Sequence, residues 1–181
     1  MPTVALPFAN KAFKPLPALL ILTLVFGSLD ILDALLFWGF SMDVSPLDVF
    51  QGIASGVLGS SAFHGGAAAA ALGALIHYAG FFCLLGLYHL AVTRQPLLGG
   101  KPLAYGLGYG LVSYFVVHYL ILPMTAFHIV PGFYLAGFTN AVLAQTVFVG
   151  LPSALLAGGW AMREKPETSE AHGIGQATPS R

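Results

Sequence analysis

Four long apolar runs, near residues 16–40, 66–92, 103–123 and 135–161, constrain this 181-residue chain more than any other feature. Each exceeds the roughly 20 residues that a helix needs to cross a bilayer. Only 8% of the residues are charged and 57% are hydrophobic, with a mean hydropathy of +0.82. Soluble domains carry about a quarter charged residues. So few charges cannot cover a water-facing surface, and the bulk solvent of this chain is lipid. The fold class that follows is an all-α integral membrane bundle of four transmembrane helices. Abundant glycine and alanine suit close packing of such helices.

Basic residues orient the bundle. Lys11 and Lys14 precede the first run, Arg94 and Lys101 separate the second from the third, and Arg163 and Lys165 follow the fourth. Arg181 ends the chain. With four spans all of these fall on one side, so the positive-inside rule places both termini in the cytoplasm. The first run is an uncleaved anchor helix, because no small-x-small cleavage site follows it. The expected organisation is a cytoplasmic N-terminal segment over 1–15, a transmembrane domain over 16–162 and a disordered polar tail over 163–181. The single Cys83 lies in an apolar run and rules out an intramolecular disulfide. Net charge is zero and nothing points to nucleic acid.

The first outer loop carries a helix signal of its own in SPLDVFQGIASGVLG. Ser45 suits the N-cap, Pro46 the first helical position, and Asp48 lies three residues after the cap. Leu47, Phe50, Ile53, Ala54, Val57 and Leu58 then recur at helical spacing, and Gly59 can end the helix. A short amphipathic helix on the outer interface, or dipping into it, is expected. Gln51 and Ser55 fall on its polar face and read as solvated.

Two carboxylates stand inside the first span, in FGSLDILDALLFWGF. An intramembrane carboxylate is costly unless paired or protonated, and it marks a functional hypothesis by default. Asp30 lies about ten residues, roughly 15 Å, below the outer end of its span. Counting inward along each helix brings His77 to a similar depth and sets Asp33 near the level of His118. Asn140 and Gln145 fall in the outer half of the fourth span. The candidate intramembrane polar cluster is therefore Asp30, Asp33, His77, His118, Asn140 and Gln145. His77 shares a face with Ala70, Gly73, Ala74 and Gly80, a smooth stripe expected to pack on another helix. Asp30 shares a face with Gly27 and Ala34, which makes Asp30–His77 the expected direct contact. His118 lies off the Gly106/Gly110/Ser113 stripe, beside Tyr114. The inner half holds little that is polar except His89.

Structural and functional readings of these residues compete. Asp30 and His77 can glue helices together or exchange a proton, and the two readings weigh about evenly. Histidines beside aromatics, at His77–Tyr78, Tyr88–His89 and His118–Tyr119, raise a haem- or metal-binding redox reading. No cofactor motif accompanies them, and adjacent aromatics in a bundle are ordinarily packing. Asp30, Asp33, His77 and His118 have metal-ligand chemistry but are scattered over three helices. No catalytic motif of the GxSxG, HExxH, CxxC or Walker type occurs, so no catalytic residue is assigned. His64 and His128 read as surface residues of the outer loops. The Gly106/Gly110 pair reads as intramolecular packing rather than a dimer motif.

The runs SPLDVFQGIASGVLGSSAFHGGAAAAALGALIHYAGFFCLLGLYHLA, YGLGYGLVSYFVVHYLILPMTA and FTNAVLAQTVFVGLPSALLA resemble a group of uncharacterised bacterial four-helix membrane proteins. The resemblance covers nearly all of the chain except the first dozen residues and the tail. A fainter similarity is to YagU-type bacterial inner-membrane proteins, which place a His in the second and third spans. The resemblance implies a bacterial inner-membrane location and a four-helix fold. It implies no activity and no site residues. In the group an Asn is usual at the position of His118, which weakens a His77–His118 cofactor pair.

Three functions remain: a non-enzymatic structural or accessory membrane protein, a small proton- or cation-coupled conduit using Asp30, Asp33 and His77, and a haem- or metal-dependent redox protein. The first is favoured by the absence of any catalytic signature and by the dominance of small-residue packing. Four spans without an inverted repeat do not make a conventional secondary transporter, although a homo-oligomer can build a pore. No cofactor is assigned, the bilayer is the one partner implied, and no substrate is legible.

Overall fold

The computed structural model of the chain describes residues 16–95, 97–128 and 134–164, the last six of these by backbone alone. The N-terminal segment and the polar tail expected at the two ends lie outside the described residues, apart from the end of the last helix. Among the described residues there are helices and no strand. Four helices are long and apolar enough to cross a membrane: Leu16–Met42, Gly66–Arg94, Pro102–Met124 and Leu135–Gly158. The chain is thus an all-α, multi-pass membrane bundle in which the four spans run alternately up and down. The end carrying the loops that follow the first and third spans is termed distal.

The first span, α1 (Leu16–Met42), stops where Asp43 takes the left-handed conformation, with φ 54°. The Val44 amide then folds back onto the Trp38 carbonyl at 3.3 Å. Next comes α2 (Pro46–Leu58), begun and ended by the residues its sequence signals. Ser45 Oγ accepts the Asp48 amide at 3.2 Å and donates to the Asp48 carboxylate at 2.7 Å. Gly59 closes it at φ 61° and ψ −150°, a conformation open to glycine, with its amide donating to the Ser55 carbonyl. A 3-10 segment, Gly59–His64, leads into α3 (Gly66–Arg94), the second span. The short α4 (Leu97–Gly100) and then α5 (Pro102–Val116) begin the third span. The fourth span is formed by α6 (Leu135–Ala144) and α7 (Gly150–Glu164).

The orientation of α2 differs from expectation. Gln51 and Ser55 are 2% and 1% exposed, so the polar face is buried, not solvated. Leu47, Val57 and Leu58 point outward instead. In lipid this inversion is the favourable arrangement, because apolar side chains lose nothing by facing acyl chains while polar ones need protein partners. Gln51 Nε2 donates to the Gly66 carbonyl at 3.1 Å, and Ser55 Oγ donates to the Gly52 carbonyl at 2.6 Å. Close approach is possible because Gly73 of α3 has no side chain: a Cβ there would overlap the Phe50 carbonyl. The stripe that includes Gly73 therefore packs against α2 at its distal end. Helix packing along the stripe does not reach Gly80, which is exposed with open space around it.

Spans three and four are joined in the same way. A Cβ on Gly106 would lie 2.6 Å from the Gly150 carbonyl oxygen, and one on Gly110 would lie 2.7 Å from the Gln145 carbonyl oxygen. The Gly106/Gly110 motif is thus spent inside the chain. Each of these spans also contains one π-helical turn, Val117–Ile121 and Gln145–Val149. Both turns lie just N-terminal to a proline, Pro123 and Pro152. A proline ring displaces the carbonyl four residues earlier, here Tyr119 and Phe148, and a wider turn absorbs the displacement. The core beneath is apolar: Leu19, Phe81, Leu85, Val149 and Leu156 form its main cluster.

Substituting Gly106→Val should therefore overpack the α5–α7 seam, costing about 1–3 kcal/mol or more. In a chain of this length that lowers the melting temperature by several degrees. Gly108→Val, at a position with open space around it, should leave the melting temperature within about 2 °C of wild type.

Candidate functional site

Polar side chains converge in the distal half of the bundle, though not in the pairs the depth count suggests. His77 on α3 donates its Nε2–H to the Gly27 carbonyl of α1 at 2.8 Å. The expected direct partner, the Asp30 carboxylate, is an electrostatic neighbour of this ring but not its hydrogen-bond acceptor. The glycine decides this. With no side chain at Gly27, α3 approaches so closely that Tyr78 lies 3.2 Å from where a Cβ would stand, and the backbone carbonyl becomes reachable. Beside it Tyr78 and Ser28 share a hydrogen bond of 2.8 Å between their hydroxyls.

Asp33 is bound from the fourth span rather than the third. Asn140 Nδ2 donates to Asp33 Oδ2 at 2.8 Å. Asp30 lies one turn below, half-buried, within electrostatic reach of both Asp33 and His77. Among the described residues Asp30 makes no hydrogen bond. The remaining two residues of the expected cluster, His118 on the third span and Gln145 on the fourth, both bond to α5. His118, inside its π turn, stacks on Tyr114 with ring centroids 4.2 Å apart and donates Nδ1–H to the Tyr114 carbonyl at 3.1 Å. Gln145, at the start of the other π turn, donates Nε2–H to Ser113 Oγ at 3.2 Å, and Ser113 donates onward to the Gly110 carbonyl at 2.8 Å. The six residues thus divide into an α1-centred group, Asp30, Asp33, His77 and Asn140, and an α5-centred group, His118 and Gln145.

This division bears on cofactors. Among the described residues no three His, Cys, Asp or Glu side chains stand close enough to hold a metal ion. His77 and His118 belong to different groups of this division, and each donates one ring N–H to a backbone carbonyl, on α1 and on α5 respectively.

Two features escaped the sequence reading. One is a groove of about 620 Å³ at the distal end between α1 and α6. Phe37 forms one wall, and Tyr134, Leu135, Thr139, Asn140 and Leu143 form the other. Asn140 is both a lining residue and the hydrogen-bond partner of Asp33, so one lining side chain connects the groove to the carboxylate group. Phe37 stands one turn above Asp33 on α1, and this spacing was present in the sequence as a signal. The other is a set of buried hydroxyls deeper in the bundle. Thr23, Tyr88, Thr146 and Ser153 each bury an oxygen with no hydrogen-bond partner among the described residues, as His89 does its Nδ1. Tyr109, whose ring contacts Tyr88 at 4.8 Å, instead donates to the Leu84 carbonyl at 2.8 Å. The inner half is therefore more polar than expected. Its serines, threonines and tyrosines do not stand out in an apolar run as a histidine does.

Comparison of the chain with protein-family models, with curated proteins and with solved structures finds no match.

Because a buried hydroxyl without a partner carries an uncompensated desolvation cost, Thr146→Val should leave the melting temperature unchanged or raise it by a few degrees. Gln145→Ala, which removes the partner of Ser113 and opens a cavity, should lower it by several degrees.

Proposed function

We propose that the chain is a non-enzymatic, multi-pass protein of the bacterial inner membrane with a structural or accessory role, its termini in the cytoplasm. The observation that carries this reading is where the polar side chains are spent. His77, Asn140 and Gln145 each make a hydrogen bond between two spans, as do Tyr78 and Tyr109. Interhelical bonds of this kind contribute about 0.6 kcal/mol each on average in a membrane bundle, and up to about 1.7. Groups used this way stabilise the helix arrangement and are not held free for turnover. Location and orientation rest on the resemblance and on the placement of all seven Lys and Arg residues on one side. Reporter fusions at the two termini and in the distal loops test the orientation; a terminus found outside overturns it.

One observation favours a second reading, a proton- or cation-handling site at Asp30, Asp33 and His77. Among the described residues the Asp30 carboxylate takes no hydrogen bond, and it has an imidazole and a second carboxylate beside it. A group retained at a cost to stability marks function more often than structure.

The two readings separate in proteoliposomes. Under the structural reading, wild-type protein carries no proton or cation flux above empty vesicles. Flux that is present in wild type and lost in Asp30→Asn, with no fall in melting temperature, would replace it with the second reading.

A further inference from the structure

We propose that the distal groove between α1 and α6 is a binding site for a lipophilic organic cation entering from the bilayer. The first observation is charge. All four aspartates of the chain, Asp30, Asp33, Asp43 and Asp48, lie in the distal half or its first loop, and no Lys or Arg occurs between Lys14 and Arg94 or between Lys101 and Arg163. The distal half therefore gathers the aspartates, with histidines but no Lys or Arg beside them. The second observation is the shape and lining of the groove. Its volume, about 620 Å³, is that of a small-molecule site. Its lining combines the aromatic rings of Phe37 and Tyr134 and the side chains of Leu135 and Leu143 with the polar Thr139 and Asn140.

Behind Asn140 stands the Asp33 carboxylate, held by the amide through Oδ2 alone. Its other oxygen takes no hydrogen bond among the described residues. An ionised carboxylate half-buried in the bundle is costly, and a cation in the groove beyond Asn140 offsets part of that cost. The cation is organic rather than a metal ion. Among the described residues no three His, Cys, Asp or Glu side chains group to hold a metal ion, whereas the aromatic faces of the groove attract alkylated or aryl-substituted cations and lose little by desolvating them. A phospholipid acyl chain would match the walls but leave the carboxylate uncompensated.

The test uses tetraphenylphosphonium and tetraphenylborate, which share size and shape and differ in the sign of charge. Trp38 provides the signal, since its ring lies 3.6 Å from the Cβ position of Gly137 on the helix that forms the groove wall. Binding to the purified full chain is read by tryptophan quenching and by calorimetry. Wild type is expected to bind the phosphonium at least about tenfold more tightly than the borate. Asp33→Asn keeps an oxygen for the Asn140 amide while removing the charge, and should abolish that preference with little change in melting temperature. Leu143→Trp fills the groove without touching the carboxylate, and should weaken phosphonium binding at least tenfold by itself. Equal affinity for the two ions, phosphonium affinity unchanged in Leu143→Trp, or absence of binding to wild type would each overturn the proposal.

Discussion

Lipid offers no hydrogen bonds, so each polar side chain inside the bundle needs a partner from the protein itself. Much of the arrangement of this molecule follows from that constraint, with Thr23, Tyr88, Thr146 and Ser153 among the exceptions in the described residues. His77 reaches a backbone carbonyl on α1, Asn140 reaches a carboxylate on the same helix, and Gln145 reaches a serine on α5. Even α2, outside the four spans, obeys it by turning Gln51 and Ser55 inward and its leucines outward. Judged by the pattern of a soluble protein, α2 is inside out.

Such bonds form only if the backbones come close, and glycine sets that distance. Gly27, Gly73, Gly106 and Gly110 each stand where a side chain would press on the neighbouring helix. Two prolines then adjust the phase. By widening the turns at Val117–Ile121 and Gln145–Val149, they change which side chains face the bundle over the following turn. Gln145 opens one of these turns and lies against Gly110 and Ser113. Polar contact, small residue and π turn coincide at that point.

Much of this was readable beforehand. The four spans, the Ser45 and Gly59 ends of α2 and the intramolecular use of Gly106 and Gly110 depend on run length, cap chemistry and residue size, which are local properties. The partners of Asp30 and Asp33 were not readable. Depth along a helix can be counted from sequence, but rotation about its axis changes by 100° with each residue, and the π turns shift that phase by amounts no residue count contains. The count therefore placed Asp33 at the level of His118, while the bond goes to Asn140. The buried faces of α2 were misjudged for a different reason: amphipathic periodicity shows that two faces differ, not which of them the surroundings will accept.

The account stands on the claim that Asp33 and Asn140 are bound to one another across α1 and α6 as part of the framework of the bundle. A double-mutant cycle tests it most directly, with Asp33→Ala, Asn140→Ala and the double variant unfolded reversibly in detergent micelles. The account predicts that each single change is destabilising and that the two are not additive, with a coupling of about 0.5–2 kcal/mol. Additive effects within about 0.3 kcal/mol would show that the two residues do not interact in the folded protein, and would contradict it.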